Sequence, residues 1–426
     1  MISKNEIAVV IDIGSTKTRG LAGSFSENNK IEILGHAIVP SRGIKRGVVL
    51  NIEEFSATLR TLIEKLEEQA GIEIRIVDVA LAGQAIQTLT FEGIRYTSGS
   101  GIVSQQDIDY LFNEAKNMPV EPGNRIYHII PQSYTIDDEP NVNIPVGHTG
   151  RKVHSQFKLI TGPKTYKDNV DMAFSKIGVE IGRFYISTLA TAEAVANEDE
   201  KEAGVAIVDI GSGSTKMSVY INNQLAHTAV IPFAGDVITN DIREGCGILA
   251  KFAEQLKIQY GQALGDFADE DKVVTIAGGN GWESKEISFK NLAFIIQARL
   301  EEIIDSIMFQ IDKSGLTQHI NQGIILTGGT AQLKNILQIL KFRTGLDARL
   351  ATSEMRLTAS TGFNKNDYIT ALGLIKLSLR NGSPARKTTR PTKEPSGNKG
   401  FLSSFSEKFS QQISLIFNDD DGNMQS

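Results

Sequence analysis

Two kinds of apolar spacing alternate along the chain. In 53–70 the positions Phe55, Leu59, Leu62, Ile63 and Leu66 share one face of a 3.6-residue period, with charged residues on the other faces. This spacing predicts an amphipathic helix. Ser104 with Asp107 three residues later predicts a capped helix over 104–117. A longer amphipathic pattern predicts another over about 290–312. Between the helices, short β-branched runs at 31–39, 75–82, 126–136, 205–210, 227–232, 273–277 and 323–327 predict strands. Strands alternating with helices indicate the α/β class.

The pattern also repeats. Residues 8–19 read AVVIDIGSTKTR and residues 205–217 read VAIVDIGSGSTKM. Each is an apolar run, then Asp-Ile-Gly, then a turn of small hydroxyl residues with a lysine. The two aspartates, Asp12 and Asp209, lie 197 positions apart. One such segment alone is an ordinary glycine turn. Two of them predict two similar domains facing each other across a cleft, with one nucleotide clamped between. Gly14, Gly211 and Gly213 permit close backbone approach to a ligand. Successive N–H groups, with Ser15, Thr16, Ser212 and Ser214, can cradle phosphate oxygens. Lys17 supplies a point charge for a β- or γ-phosphate. Asp12 and Asp209 are suited to hold a magnesium ion through its water shell. A third cluster, GIILTGGTAQL at 323–333, offers Gly328, Gly329 and Thr330 as a side-chain-free surface for an adenine ring, or as a routine strand-to-helix turn. Glu254 and Lys257, three apart on a predicted helix, read as contacts to ribose and adenine or as a solvated ion pair. The Gly pair in 277–281 reads as a loop without a role.

Composition narrows the classes. The 426 residues carry 50 acidic and 44 basic side chains, a formal charge of −6, which argues against a general nucleic-acid binder. One cysteine, Cys246, excludes an internal disulfide and a Cys-based zinc site, and makes a reducing compartment the expectation. The six histidines show no metal spacing. The first apolar run is broken early by Asp12 and no stretch is long enough to span a bilayer, so the body is expected on the cytoplasmic side. Residues 380–400 change character: three prolines, three glycines and mostly basic charge predict a flexible linker. Beyond it, Phe401, Leu402, Phe405, Phe409, Ile413, Ile416 and Phe417 predict one apolar stripe on a helix over 401–417. Such a helix suits the plane of an anionic membrane surface. A helix docked on its own domain is the other reading, and a tether of this length counts against it.

The order of these motifs resembles the actin/Hsp70/sugar-kinase ATPase superfamily: a first phosphate segment at Asp12–Thr18, a connecting helix at about 187–197, a second phosphate segment at Asp209–Thr215, an adenosine segment at Leu326–Leu333 and a second connecting helix at about 367–379. Within it, RIYHIIPQSYTID (125–137), PVGHTGRKV (145–153), GDVITNDI (235–242, opening with Gly235), AEQLKIQYG (253–261) and YITALGLIKLSL (368–379) resemble the FtsA family of bacterial cell-division proteins. The resemblance implies an actin-like fold with subdomains 1A (1–83 and 163–200), 1C (84–162, an insert), 2A (201–241 and 321–379) and 2B (242–320). It implies binding of ATP with Mg²⁺ by the residues above, Gly235 among them, and self-association into filaments. It also implies a grip on the C-terminal tail of FtsZ, for which Arg299 and Glu302 in ARLEEII are candidates or else an exposed ion pair. The place implied is the inner face of the cytoplasmic membrane at the division septum, as a peripheral protein working with further division proteins.

Two positions depart from that pattern. Lys216 stands where FtsA relatives usually carry an acidic residue, and either contacts phosphate or points away. Hydrolytic members of the superfamily place a glutamate at the start of the first connecting helix; here that place is Ala190, and Glu193 one turn on reads as structural. A water attack without a positioned base loses typically ~10²–10⁴-fold, so weak or absent ATP turnover is expected. The competing classes are a kinase or chaperone-type ATPase of the same superfamily, and a pilus-assembly-type membrane adaptor.

Overall fold

A computed structural model describes residues 7–26, 30–99, 101–277, 283–359 and 362–382. Two sheets organise the body, and they share one five-strand topology, to which the first adds an edge strand. In the first, the strand order is Glu180–Ile186, Ile76–Leu81, Ala8–Ile13, Lys17–Phe25, Ile31–Pro40 and Leu357–Thr358. In the second it is Gln224–Ile231, Thr215–Ile221, Val205–Ile210, Ile324–Thr327 and Ala348–Leu350. Each sheet centres on a strand whose next strand returns antiparallel beside it, while its other neighbour runs parallel. The central strands Ala8–Ile13 and Val205–Ile210 are buried at every position, as expected of strands covered on both faces. The sequence duplication is thus a structural one, and the fold is the expected mixed α/β type.

The helices follow the spacing that predicted them. Ile52–Ala70 buries Phe55, Leu59, Leu62, Ile63 and Leu66. Asn51 caps its start by accepting the Glu54 N–H, and Gly71 ends it in the left-handed conformation at φ 65°. The helix Gln105–Lys116 has the capping box of Ser104 and Asp107. The long helix is Phe289–Ser314, ended by Gly315. The strands Lys17–Phe25, Gln87–Tyr96, Lys152–Pro163 and Thr215–Ile221 were not among those read from apolar runs; glycine, threonine and charged residues interrupt them.

Two helices, Ser187–Val195 and Ile369–Arg380, pack on each other; the second lies against the first sheet and the first touches strands of both sheets. Their crossing is closest at Gly373, where a Cβ would stand 1.6 Å from the Ala190 carbonyl oxygen. Residues between the Ile76–Leu81 strand and the Lys164–Ser175 helix form a separate layer, a four-stranded sheet Gln87–Tyr96, Lys152–Pro163, Asn124–Ile136 and Glu139–Val142 with its own core around Leu111, Phe157 and Leu159. This layer leans on the edge of the second sheet: the Thr88 hydroxyl accepts the Thr228 N–H at 3.0 Å and donates to its carbonyl at 3.0 Å. Gln132 donates to the Leu225 carbonyl at 3.2 Å. The predicted helix over 401–417 and most of the linker lie outside the described residues.

Candidate nucleotide site between the two loops

The two Asp-Ile-Gly segments end their central strands at matching places, and the loops that follow touch. Thr16 and Ser212 share a hydrogen bond through their hydroxyls. Ser15 sits against Gly213, where a Cβ would come within 2.8 Å of the Ser15 Oγ. A side chain at 213 would push the loops apart. Gly14 is equally constrained: a Cβ there would lie 2.5 Å from the Lys17 carbonyl oxygen.

Each loop is braced from behind. Ser41, on the turn after the Ile31–Pro40 strand, donates to the Gly14 carbonyl at 2.8 Å, and its N–H donates to the Thr16 carbonyl at 2.9 Å. The Gly47 N–H donates to the Ser15 Oγ at 3.0 Å. Sequence reading missed both Ser41 and the hairpin that presents Gly47; its only signal was the pair of glycines, Gly43 and Gly47, which sit at φ 72° and 77°. In the second loop the Gly211 carbonyl accepts the Gly235 N–H at 3.1 Å and the Thr330 hydroxyl at 2.8 Å. The Asp236 N–H donates to the Ser212 carbonyl at 2.8 Å, so the helix Gly235–Cys246 starts on the loop itself. Gly328, at φ 97°, passes so close that a Cβ would meet the Ile210 carbonyl oxygen at 2.3 Å and Asp209 Oδ1 at 2.5 Å. Gly329 beside it is exposed, with nothing within 4 Å of a Cβ.

Glu254 and Lys257 do pair, at 2.7 Å, but not as a solvated couple. Lys257 is buried and turns inward, donating to the Gly235 carbonyl at 3.0 Å and the Thr239 hydroxyl at 2.7 Å. Glu254 also meets the Thr239 hydroxyl. The pair therefore props the helix that carries Gly235, while much of Glu254 stays accessible.

Beneath the loops lies a compact charge cluster. Lys216 Nζ donates to Asp209 Oδ2 at 2.9 Å, and Arg19 Nη1 stands 3.8 Å from Asp12 Oδ2. Burial works against the Lys216 charge, yet Asp209 and Asp12 outweigh it and hold the ammonium above the ordinary lysine range. Burial pushes the Asp12 carboxyl up, and Lys216 and Arg19 only partly pull it back. Asp12 Oδ1 is buried with no hydrogen-bond partner among the described residues. Beside the cluster, Thr188, Thr191, Ile207, Asp209, Lys216 and Ser218 line a narrow crevice with no room for a water molecule. Ala190 is buried at the helix crossing. Glu193 faces away into a basic trio: Lys201 at 2.6 Å, Lys376 at 3.1 Å and Arg380 at 3.4 Å. Burial alone would raise its pKa, but these cations lower it to about 2.

Opposed loops rich in N–H and hydroxyl groups can receive a chain of phosphates from both sides, and the open backbone at Gly329 can receive a flat ring. The glycine positions fit such a ligand. The fit for magnesium is one-sided. Asp12 offers a carboxylate oxygen in want of a donor or cation, whereas Asp209 is already engaged by Lys216. Among the described residues no group of three or more His, Cys, Asp or Glu could hold a metal directly.

Comparison with known proteins settles the lineage. The family profile described as cell division protein FtsA matches residues 206–373, and that of the SHS2 domain inserted in FtsA matches 83–161. The chain is 31% identical over 395 residues to cell division protein FtsA of Neisseria meningitidis, covering 92% of this chain and 95% of that one. It is 30% identical over 378 residues to cell division protein FtsA of Escherichia coli K12, covering 87% and 90%.

The chain belongs to the FtsA family of cell division proteins.

Its fold is also that of actin-like proteins outside the family. The PilM–PilN type IV pilus biogenesis complex aligns with TM-score 0.60 at 15% identity, over 89% of this chain and 99% of that one. MreB5 of Spiroplasma citri bound to ADP aligns with TM-score 0.52 at 15% identity, over 87% and 95%. In this FtsA family member the layer inserted after the Ile76–Leu81 strand is the segment matched by the SHS2 profile.

Arg299 and Glu302 lie on the helix Phe289–Ser314, 2.5 Å apart. Arg299 is more than an exposed ion-pair partner. It grips Asp241 with two nitrogens, at 2.6 and 3.1 Å, and so ties the long helix to the one that starts on the second loop. Hydrogen bonding to Asp241 raises its already high pKa. Glu302 keeps most of its surface. Among the described residues no helix is long and apolar enough to cross a membrane. The membrane residues named above, Phe401 to Phe417, lie outside the described residues.

Proposed function

We propose that this chain binds ATP between its two loops, polymerises in an actin-like manner and tethers FtsZ filaments to the inner face of the cytoplasmic membrane at the septum. The observation that carries the nucleotide part is the meeting of duplicated loops, Thr16 on Ser212 through their hydroxyls and Ser15 against Gly213. Family membership supports the division role. The apolar stripe from Phe401 to Phe417, behind a basic linker, supports the membrane role.

In this reading Gly14, Ser15, Thr16 and Lys17 hold the phosphates from one side and Gly211, Ser212, Gly213 and Ser214 from the other. Gly328, Gly329 and Thr330 carry the adenine, and Gly235, Glu254 and Lys257 shape the ribose side. Magnesium, where it enters, would be held through water by Asp12, with Asp209 the weaker candidate, and would supply charge neutralisation of the phosphates. Turnover is weak or absent: the crevice beside the loops is lined by hydroxyls and by an Asp209 engaged with Lys216, and Glu193 is held away in its own ion-pair cluster. Nucleotide then acts as a ligand that stabilises the closed, filament-competent body by mass action. Arg299 and Glu302 are the proposed contacts for the FtsZ tail.

Vesicle co-sedimentation with ATP tests the assignment, comparing the full chain with one ending at Leu379. The full chain should pellet with anionic vesicles and carry FtsZ down with it, and the shortened chain should not. Equal pelleting of the two would overturn the membrane role. Failure of an FtsZ tail peptide to bind either chain would overturn the tether. ATP turnover of about 1 s⁻¹ or above, the low end of ordinary enzyme rates, would overturn the non-hydrolytic reading.

A further inference from the structure

In both halves the aspartate next to the end of the central strand is followed seven residues later by a cation, and the antiparallel register sets each couple side by side: Asp12 opposite Arg19, Asp209 opposite Lys216. The two couples are unequal. Arg19 stays 3.8 Å from its partner and remains partly open to solvent. Lys216 closes to 2.9 Å with a nearly buried side chain, and its field reaches Asp12 in the other half as well. An ammonium has three protons to donate. Among the described residues Lys216 spends one, on Asp209. Two oxygens in the same region also lack a hydrogen-bond partner among the described residues: Asp12 Oδ1 beneath the loops and the Ser218 Oγ that lines the crevice with Lys216.

We propose that Lys216 is a resident counter-cation of the nucleotide site. It supplies from the protein part of the positive charge that a hydrated divalent ion would otherwise bring to the two loop carboxylates and the terminal phosphates. The inference rests on the reading that the loops hold a nucleotide. Two carboxylates facing a polyphosphate repel it; a lysine bonded to one of them, with its field reaching the other, weakens that repulsion and leaves donors for a phosphate oxygen. The consequence is a site that keeps most of its affinity for ATP when divalent ions are removed. A hydrogen bond to a charged group corresponds to a factor of about ten to a hundred in affinity, which sets the expected size of the effect.

The test is equilibrium binding of ATP to the full chain in magnesium and in EDTA, for the wild type, Lys216→Met and Lys216→Arg. The wild type should lose less than about tenfold on removal of magnesium. Lys216→Met should lose about ten- to a hundredfold more than the wild type, and Lys216→Arg should behave as the wild type does. Equal losses for the wild type and Lys216→Met would overturn the proposal. So would a loss of about a hundredfold or more in the wild type itself, a result that requires no variant to fold. The double variant Asp209→Asn/Lys216→Met removes both buried charges together. Compared with Asp209→Asn alone, it should show the same additional magnesium dependence, and its failure to do so would also count against Lys216. Absence of ATP binding by the wild type in either buffer would instead sink the nucleotide reading beneath it.

Discussion

Replacing Gly373 with alanine would set a methyl carbon 1.6 Å from the Ala190 carbonyl oxygen, 2.7 Å from its carbonyl carbon and 3.1 Å from the Ala194 nitrogen. All three are backbone atoms of the crossing helix, so no side chain can swing aside. Ordinary contacts of this kind are about 3.5–4 Å, so the helices must separate by about 2 Å. The crossing is packed with Ala190, Ala192, Ala371, Leu372 and Leu374, all fully buried, and separation loosens each of them. Overpacking a core costs typically about 1–3 kcal/mol. A backbone-on-backbone clash belongs at the upper end, about 3 kcal/mol. At about 1–2 °C per kcal/mol for a body of this size, the thermal midpoint should fall by roughly 3–6 °C. Gly329→Ala is the matched control: Gly329 is exposed at φ −63° with open space around a Cβ, so its stability should stay within about 0.5 kcal/mol of the parent. Differential scanning calorimetry on the two variants decides the matter. A Gly373→Ala midpoint within a degree or two of the control would mean that the connecting helices do not cross at this residue.

Three further outcomes follow from the same geometry. Gly329→Val should leave the thermal midpoint near that of the parent yet weaken binding of a fluorescent ATP analogue by about tenfold or more; unchanged affinity would place the adenine elsewhere. Lys257→Met deprives the Gly235 carbonyl and the Thr239 hydroxyl of a buried donor, and urea unfolding should report a loss of about 1–3 kcal/mol, whereas a loss below about 0.5 kcal/mol would show the ion pair to be ornamental. The Glu193 carboxyl is depressed from 4.5 to about 2 in the folded chain. Its contribution to stability is therefore complete above pH 4.5 and drains away as pH falls toward about 2. The stability gap between the parent and Glu193→Gln should accordingly narrow between roughly pH 5 and pH 3; a constant gap would mean that the basic trio does not hold the carboxylate.

Much of the protein could be read along the line of the chain. The face Phe55-Leu59-Leu62-Ile63-Leu66, the Ser104 cap and the buried runs before Asp12 and Asp209 each depend on residues within one or two turns of one another, so their phase is written locally. The duplicated loops were legible too, because glycine and small hydroxyls at fixed offsets are needed wherever backbone must pass backbone. What folding alone decided are the meetings between distant residues. Ser41 under Gly14, Gly47 on Ser15, Gly373 against Ala190 and Arg299 on Asp241 join positions whose spacing carries no signal. Lys257 is the instructive case: an i,i+3 couple looks solvated from spacing alone, and only the close approach of the helix bearing Gly235 turns the lysine inward. Lys216 is another, a lysine one strand-crossing from its aspartate, whose inward reach depends on a strand pairing that brings Asp209 opposite it. Periodicity fixes which face of an element is buried. Which partner lies beneath that face, and so which charges meet, is set by how distant strands and helices pack within each half.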